Sequence, residues 1–348
     1  MCKLGIIVSS AALALVGCST PSDTTATSGP DDAVVIRTEV YAFTWIAQQV
    51  GGERVSVEQI IPTGADVHHY ELSPKEVAEL SETDLVVTSD GVATAVDDAV
   101  TEAQPANVID ATDYVDVLAA DEHAHDEHAD DEHADDEHAD DEHADDEHAD
   151  DEHADDEHAD DEHADDEHAD DEHGHDHGSF DPHTWLAIDQ MPEVVTAVAD
   201  TLSEIDPEGA ETYAANAEAV NAELTSLDEQ YRTGLATCER DTIVVTHPAF
   251  GYIANAYGFT QVGISGFDED TEPSPARLAE VKDIAADTEA TTIFLANTSN
   301  PKVADVLASE LGLDTAVLDT VTGEVDGKDY LSSAEENLDA LKAGLGCS

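Results

Sequence analysis

The chain has 348 residues, 41% of them hydrophobic, and a formal net charge of -72. This length and composition suffice for two domains. The acidic excess argues against nucleic acid as a partner and against electrostatic docking on anionic lipid, because both carry charge of the same sign.

The N-terminus reads as a targeting segment. Lys3 precedes an apolar stretch, residues 4–16, that is too short to cross a membrane as a helix. Leu15-Val16-Gly17-Cys18 resembles a bacterial lipobox, which implies cleavage before Cys18 and acylation of its thiol. We therefore predict a signal peptide at 1–17, a flexible tether at 18–32, and an extracytoplasmic protein anchored to the cell membrane by lipid.

Strands alternate with helices in the next part of the chain. Strands are predicted at 33–38, 55–61, 85–88 and 107–109. Ser73 is a predicted helix N-cap, with Pro74 at the first helical position and Glu76 completing a capping box. The alternation predicts an α/β fold with a parallel sheet, in an N-terminal lobe that spans 33–206.

A repetitive run interrupts this lobe. The run from Asp121 to Gly178 holds 14 of the 18 histidines and 32 of the 83 acidic residues, and Asp-Glu-His-Ala-Asp recurs nine times within it. It has no apolar side chain larger than alanine, so we predict a disordered insertion. Imidazoles and carboxylates bind divalent metals. The run is therefore either a metal-collecting or metal-sensing loop or a solvated spacer. The candidate weak sites are at its two ends, at His123, His125, His128, His173, His175 and His177.

A long helical pattern follows at 207–237. Asp206 is a predicted N-cap, and Val220, Leu224 and Leu227 begin an apolar face that continues at helical spacing. A helix of this length spans ~45 Å. Such a rigid connector predicts two lobes that tilt slightly and do not close fully on each other.

The strand and helix pattern restarts in a C-terminal lobe, 238–348. Strands are predicted at 242–246, 261–264, 292–295 and 315–318. Of the four cysteines, one lies in the signal and one in the lipobox. The remaining two, Cys238 and Cys347, lie outside the cytoplasm and are a candidate disulfide.

Four histidines lie outside the run, and three of them are close to the end of a predicted element. His68 and His69 follow the second strand, His183 follows the run, and His247 ends a strand of the second lobe, as does Asp319. Ligands of open α/β sheets bind beyond the carboxyl ends of the strands. These side chains are therefore candidates for one site in the cleft between the lobes.

Several motifs resemble those of the solute-binding proteins of ABC transporters for zinc and manganese. They are Asp66-x-His68-x-Tyr70-Glu71, Asp181-Pro-His-Thr-Trp-Leu186, His247-x-Ala-Phe-Gly-Tyr252, Glu272-Pro-Ser-Pro275 and Leu318-Asp319. The resemblance covers nearly all of the mature chain. It implies two α/β lobes joined by one long rigid helix, a metal site between them, and an ABC permease with its ATPase as partner. The ligands it implies are His68, His183, His247 and, as the fourth, Asp319.

The chain departs from the family at some of these positions. Val67 and Leu72 stand where the family often has proline, and Thr320-Val321 stands where Pro-Leu often follows the acid. His69 makes the first ligand ambiguous, although His68 keeps the family spacing.

The implied donor set favours zinc. Three imidazoles and one carboxylate suit Zn²⁺ better than Mn²⁺, which prefers oxygen ligands. The alternatives are a manganese-binding member of the family and a surface lipoprotein that buffers metal or acts in adhesion. A hydrolase is disfavoured, because the sequence has no His-Glu-x-x-His and no Gly-x-Ser-x-Gly. We expect a monomer that is not an enzyme.

Overall fold

The computed structural model describes residues 33–119, 180–266, 273–325 and 327–348. The predicted signal peptide, the tether with Cys18, Glu272 of the family motif, and the repetitive run with its six candidate histidines lie outside these ranges.

Two parallel four-stranded sheets form the centres of two lobes, which confirms the predicted α/β fold. The strands are β1 (Val34–Thr38), β2 (Val55–Gln59), β3 (Leu85–Thr88), β4 (Val108–Asp110), β5 (Thr242–Val245), β6 (Thr260–Gly263), β7 (Thr292–Ala296) and β8 (Asp314–Leu318). Their order is β2-β1-β3-β4 in the first sheet and β6-β5-β7-β8 in the second. Both sheets thus place the carboxyl ends of all their strands along one edge.

Helices connect and cover the strands. They are α1 (Tyr41–Gly51), α2 (Pro74–Leu80), α3 (Thr94–Ala103), α4 (Met191–Ile205), α5 (Ala210–Gly234), α6 (Gly251–Tyr257), α7 (Pro275–Asp287), α8 (Pro301–Leu311) and α9 (Tyr330–Leu345). None of these helices is long and apolar enough to cross a lipid bilayer. The capping box predicted at Ser73 and Glu76 is present at the start of α2.

The long helix between the lobes is α5, and it begins later than the sequence predicted. Asp206 does not cap it, because the Asp206 carboxylate instead binds Arg54 at 2.6 Å and the Tyr213 hydroxyl at 2.7 Å. The 25 residues of α5 span ~37 Å. Its buried face includes Val220, Leu224 and Leu227, as the apolar spacing predicted.

Of two hydrophobic clusters in the described residues, the smaller lies within the C-terminal lobe and the larger extends through both lobes. It includes Trp45 of α1 and Tyr330 of α9, whose rings stack with their centroids 5.2 Å apart. The Tyr231 hydroxyl of α5 donates to the Ala334 carbonyl oxygen of α9 at 2.6 Å. Wide separation of the lobes would expose this shared apolar surface to water. The fold therefore favours small tilts over large opening.

The predicted disulfide between Cys238 and Cys347 is confirmed. It joins the segment that follows α5 to the residues that follow α9. Backbone hydrogen bonds hold the same two segments together, from Ser348 N to Thr237 O at 3.0 Å and from Glu239 N to Leu345 O at 3.1 Å. The C-terminal end of α9 is thus fixed to the segment that follows α5.

Candidate metal centre

Three of the predicted histidines meet between the lobes. One ring nitrogen from each of His68, His183 and His247 lies within 4.8 Å of the others. The exposed fractions of the three residues are only 7%, 1% and 2%. His183 Nε2 and His247 Nε2 are 3.0 Å apart. In the described ranges, this is the only group of three or more potential metal ligands at such distances.

Each lobe contributes to the group. His247 follows β5 of the C-terminal lobe by two residues, whereas His68 lies in the loop between β2 and α2 of the N-terminal lobe. His183 immediately precedes a short 3-10 turn, Thr184–Leu186, which is buried. An ion held by all three side chains would therefore bridge the two lobes.

Hydrogen bonds orient two of the imidazole rings. His68 Nδ1 lies 2.9 Å from the Val92 carbonyl oxygen, which can only accept, so this nitrogen carries the proton. His183 Nδ1 lies 2.7 Å from Asp181 Oδ1, and the same oxygen accepts the His183 backbone N–H at 3.0 Å. In both rings Nε2 is thereby presented as the metal donor, the usual arrangement for metal-binding histidine.

Replacing Asp181 with alanine should weaken metal binding without removing a ligand. Asp181 is 4% exposed, and its loss leaves the His183 ring without its orienting acceptor. We expect a ~10–100-fold loss of Zn²⁺ affinity, the usual cost of losing such a partner. Asp181→Asn should lose less, because its side-chain oxygen still accepts a hydrogen bond. Competition titration against a chromophoric chelator measures both effects. Equal affinity in wild type and Asp181→Ala would refute this role.

His69 does not join the group. Its Nδ1 lies 2.9 Å from Asp66 Oδ2, on the partly exposed side of the same loop. Burial alone would raise the pKa of Asp66, but hydrogen bonds from His69 and from the His68 backbone N–H lower it overall. The Asp66 carboxylate thus stays ionised and fixes the loop that presents His68.

The structure does not bring Asp319 to the three histidines. Asp319 Oδ1 accepts hydrogen bonds from Asn297 Nδ2 at 2.7 Å and from Val321 N at 2.8 Å, and Oδ2 accepts from Ser333 Oγ at 3.0 Å. Both oxygens therefore accept hydrogen bonds from within the C-terminal lobe. That Asp319 is a metal ligand stays a prediction. Its hydrogen bonds in the structure stabilise the loop that follows it.

That loop, residues 320–323, crosses from the C-terminal lobe to the N-terminal lobe, and we call it the crossing segment. Trp185 Nε1 donates to the Thr320 carbonyl oxygen at 2.7 Å. Gln59 Nε2 donates to the Thr322 carbonyl oxygen at 2.8 Å. No sequence pattern indicates these two contacts, because hydrogen bonds to backbone carbonyl groups do not require a particular residue type at the acceptor.

The crossing segment has an unusual backbone at Val321, whose φ is 55°. A β-branched residue in this left-handed region costs on the order of 1–3 kcal/mol, and the surrounding structure must hold it there. Val321 is 1% exposed, and its N–H is bound by Asp319. Gly323 is required for a close approach, since a Cβ there would lie 2.7 Å from Thr63 Cγ2.

A cleft of about 390 Å³ opens in front of the histidines. Its walls come from both lobes, from the loop before His68 and from the crossing segment. The wall residues other than the histidines are Thr63, Gly64, Ala65, Asp66, Val67, Asn297, Thr298, Asn300, Thr320, Thr322, Gly323 and Val325.

Two carboxyl groups with raised pKa values support the loop that carries Val92: Glu39, which directly follows β1, and the partly buried Asp97 of α3. Glu39 is fully buried, and burial raises its pKa well above the ordinary value, although its Oε2 accepts the Ser89 N–H at 2.9 Å. The pKa of Asp97 is raised to about 7, chiefly by burial and also by the charges of Asp90 and Asp110. Asp97 Oδ2 accepts the Gly91 N–H, so this cluster supports the loop that carries Val92.

Replacing Asp97 with asparagine should stabilise the protein in a pH-dependent way. The folded pKa, about 7, lies above the ordinary value of 3.8. Ionisation of this carboxyl group in the folded state therefore lowers the free energy of unfolding. The loss is complete above pH 7 and absent at pH values well below 4. We expect Asp97→Asn to gain about 1–3 kcal/mol at pH 8. Urea unfolding from pH 4 to pH 8 measures it, with the exposed Glu102→Gln on the same helix as the control. A gain that is equal at both pH values would contradict the expectation.

Two α/β lobes, a long connecting helix and a buried histidine centre between them define the class of metal-binding solute-binding proteins. The chain belongs to the family of the zinc-uptake complex component A, ZnuA, whose model matches residues 36–344.

Relatives match the chain along most of its length. It is 30% identical over 350 residues to the high-affinity zinc uptake system protein ZnuA of Bacillus subtilis strain 168, covering 98% of this chain and 97% of that protein. It is 30% identical to the zinc-binding lipoprotein AdcA of Streptococcus pneumoniae strain R6, covering 98% of this chain but only 61% of AdcA. The manganese-binding lipoprotein MntA of Halalkalibacterium halodurans is 25% identical, with 96% and 95% coverage.

Solved structures share the fold. The metal-dependent lipoprotein YcdH of Bacillus subtilis aligns with a TM-score of 0.66 and 27% identity, over 90% of this chain and 99% of that chain. Zn(II)-bound AdcA of Streptococcus pneumoniae gives the same TM-score and identity, over 90% of this chain and 58% of that longer chain.

Proposed function

We propose that this protein captures Zn²⁺ outside the cytoplasm and delivers it to the permease of an ABC importer, which works with an ATPase. The observation that carries the proposal is the meeting of His68, His183 and His247 at a buried point between two lobes. Imidazole nitrogen is a preferred zinc ligand. Relatives named for zinc uptake and zinc binding support the assignment.

Capture exchanges water on the ion for imidazole nitrogens from both lobes. The ion then acts as a bridge that favours the approach of the lobes, while the shared core limits their movement to a small tilt. Protons compete for the same nitrogens, so affinity should fall in acid. Release requires the permease to separate His247 from the two histidines of the other lobe.

The donors favour zinc over manganese, although one relative is named for manganese. The three grouped ligands are all nitrogen donors, whereas Mn²⁺ prefers oxygen. Asp319 would add one oxygen donor, since its Oδ2 accepts only from Ser333 Oγ and keeps a lone pair. A nitrogen-rich site also follows the general order in which zinc binds more tightly than manganese.

To deliver zinc to a permease, the protein has to be located at the membrane. The lipobox at Cys18 implies a lipid anchor there, and relatives of the chain are named lipoproteins. Residues 19–32 would let a monomeric binding protein reach its permease while it remains attached.

Metal titration of the full chain tests the proposal. In a non-coordinating buffer at pH 7.5, we expect one tight Zn²⁺ site, with Mn²⁺ weaker by about tenfold or more. Competition against a chromophoric chelator gives both affinities, and transport assays with the cognate permease test delivery. Tighter binding of manganese than of zinc would contradict the metal assignment.

The repetitive run is proposed to bind further zinc weakly. Each ion there needs two or three imidazoles ordered at an entropic cost, so affinity should be well below that of the cleft. Deleting residues 121–178 should keep the tight site, remove the weak ones, and slow uptake only when zinc is scarce. If uptake is unchanged at every zinc concentration, the run is a spacer.

A further inference from the structure

The motif from His247 to Tyr252 contains two residues whose place is not explained by metal ligation. Gly251 and Tyr252 form the start of α6 and are not among the three grouped ligands. Both lie against Asp181, whose carboxylate orients the His183 ring. The start of α6 therefore connects the strand end that carries His247 with the segment that carries His183.

The Tyr252 hydroxyl is buried at the boundary between the lobes. It donates to the Asp181 carbonyl oxygen at 2.7 Å and accepts from the Leu118 N–H at 3.4 Å. Tyr252 is 2% exposed and Asp181 is 4% exposed. Burial raises the pKa of Tyr252, so the hydroxyl keeps the proton that it donates. The hydrogen bond therefore fixes the Asp181 backbone, in the N-terminal lobe, against a helix of the C-terminal lobe.

Gly251 permits a close approach between the same two segments. A Cβ at this position would overlap Asp181 Oδ2. A larger residue would therefore displace the Asp181 carboxylate, whose Oδ1 lies 2.7 Å from His183 Nδ1. The absence of a side chain at Gly251 thus leaves room for the carboxylate in the position where it orients the ring.

The N-terminal lobe holds the segment around His183 through Ser89. Ser89 Oγ donates to the Pro182 carbonyl oxygen at 3.0 Å and lies 2.8 Å from Thr184 Oγ1. Ser89 and Thr184 are both completely buried. His183 is thus held by Ser89 of its own lobe and, through Asp181, by α6 of the other lobe. Its Nε2 lies 3.0 Å from His247 Nε2.

We propose that Tyr252 is a positioning residue of the metal centre. Through Asp181, it holds His183 at a distance from His247 that one zinc ion can bridge, and Gly251 provides the room that the Asp181 carboxylate needs. This inference rests on the proposed zinc capture and extends it to residues that are not ligands. Because the hydrogen bond crosses between the lobes, a tilt that separated His247 from His183 would also stretch it.

Competition titration of the full chain against a chromophoric chelator tests this role. Tyr252→Phe removes only the hydroxyl and should lower Zn²⁺ affinity by about 3–10-fold, the range for one hydrogen bond. Release of zinc to excess chelator, followed by stopped flow, should become faster by a similar factor, because changes in affinity act mostly on dissociation. Circular dichroism checks that the variant is folded.

Tyr257→Phe is the matched control. Tyr257 is on the same helix, and its hydroxyl donates to Asp228 of α5 at 3.0 Å. Both substitutions remove one hydrogen bond, so both should lower the urea midpoint slightly. Only Tyr252→Phe should change zinc affinity, because the Tyr257 hydroxyl does not contact the segment that carries His183.

Gly251→Ala tests the same contact without removing the Tyr252 hydroxyl. The added methyl group should displace the Asp181 carboxylate and lower Zn²⁺ affinity by about tenfold, the lower end of the cost of losing an orienting partner. Co²⁺ in place of zinc has visible absorption bands that depend on the geometry of its donors. These bands should change in Gly251→Ala and Tyr252→Phe, whereas Tyr257→Phe should give the wild-type spectrum.

The outcomes separate this inference from the proposed function. Wild-type zinc affinity and a wild-type Co²⁺ spectrum in folded Tyr252→Phe would overturn the inference and leave zinc capture intact. Equal losses of affinity in Tyr252→Phe and Tyr257→Phe would also overturn it, since they would show a general effect of lower stability. Unchanged affinity in Gly251→Ala would overturn the part assigned to Gly251. Failure of the wild type to bind zinc tightly would overturn the proposed function itself.

Discussion

Replacing His183 or His247 with alanine is expected to remove high-affinity zinc binding. Each change deletes one of three buried nitrogen donors and also breaks the link that an ion would make between the lobes. The loss of affinity should exceed the ~10–100-fold cost of losing an orienting hydrogen bond. Competition titration with a chromophoric chelator, under conditions where wild type binds one equivalent, measures it.

His69→Ala is the matched control for this experiment. His69 has the same side chain and lies beside His68, but it contacts Asp66 and is outside the group of three. Its removal should change zinc affinity by less than about threefold, because no donor is lost. A larger loss in His69→Ala than in His247→Ala would mean that the ion is held at a different place from the one proposed.

Much of the fold could be predicted because its signals are local. A buried parallel strand is a short apolar run, as in Leu85-Val-Val-Thr88. The residues of the capping box likewise indicate that a helix begins after Ser73. The alternation of such elements then requires a parallel α/β sheet. The helical spacing of apolar residues is also a local signal, and it predicted the buried face of α5.

The misses have physical causes. Helix α4 was not predicted from the sequence. Pro192 nevertheless suits the first turn of a helix, and the apolar residues Met191, Val194, Val195 and Val198 lie at helical spacing. Asp206 is a residue type that favours N-caps, but its carboxylate is used by Arg54, which is 152 positions away in sequence. Local propensity cannot anticipate such a tertiary partner.

Strand-end placement predicted that His247 lies at the cleft with the other two histidines, whereas Asp319 as the fourth ligand stays a prediction. His247 and Asp319 follow strands of the same sheet, but only His247 turns towards the cleft. The Asp319 carboxylate instead accepts hydrogen bonds from Asn297, from Ser333 and from the Val321 backbone N–H. A strand end fixes where a residue lies, whereas the direction of its side chain depends on contacts that the sequence does not display.

Removing the disulfide is expected to have the largest effect on stability. The bond between Cys238 and Cys347 spans 109 positions. In the chain-entropy model, closing a loop of this length in the unfolded state contributes ~4–5 kcal/mol. The Cys238→Ser, Cys347→Ser double variant should therefore unfold at clearly lower urea concentration than oxidised wild type, with a steeper slope because the uncrosslinked unfolded chain exposes more surface.

Reduced wild type is the control for that comparison. It lacks the bond but keeps both cysteine side chains, so it should unfold near the double variant. The backbone bonds from Ser348 to Thr237 and from Glu239 to Leu345 remain in both, so the folded C-terminal helix should stay in place. Zinc binding below the unfolding transition should survive, because none of the three histidines contacts the disulfide. An unchanged midpoint would show that the unfolded chain is already constrained by other means, whereas a loss of zinc affinity in the folded variant would show that α9 transmits strain to the centre.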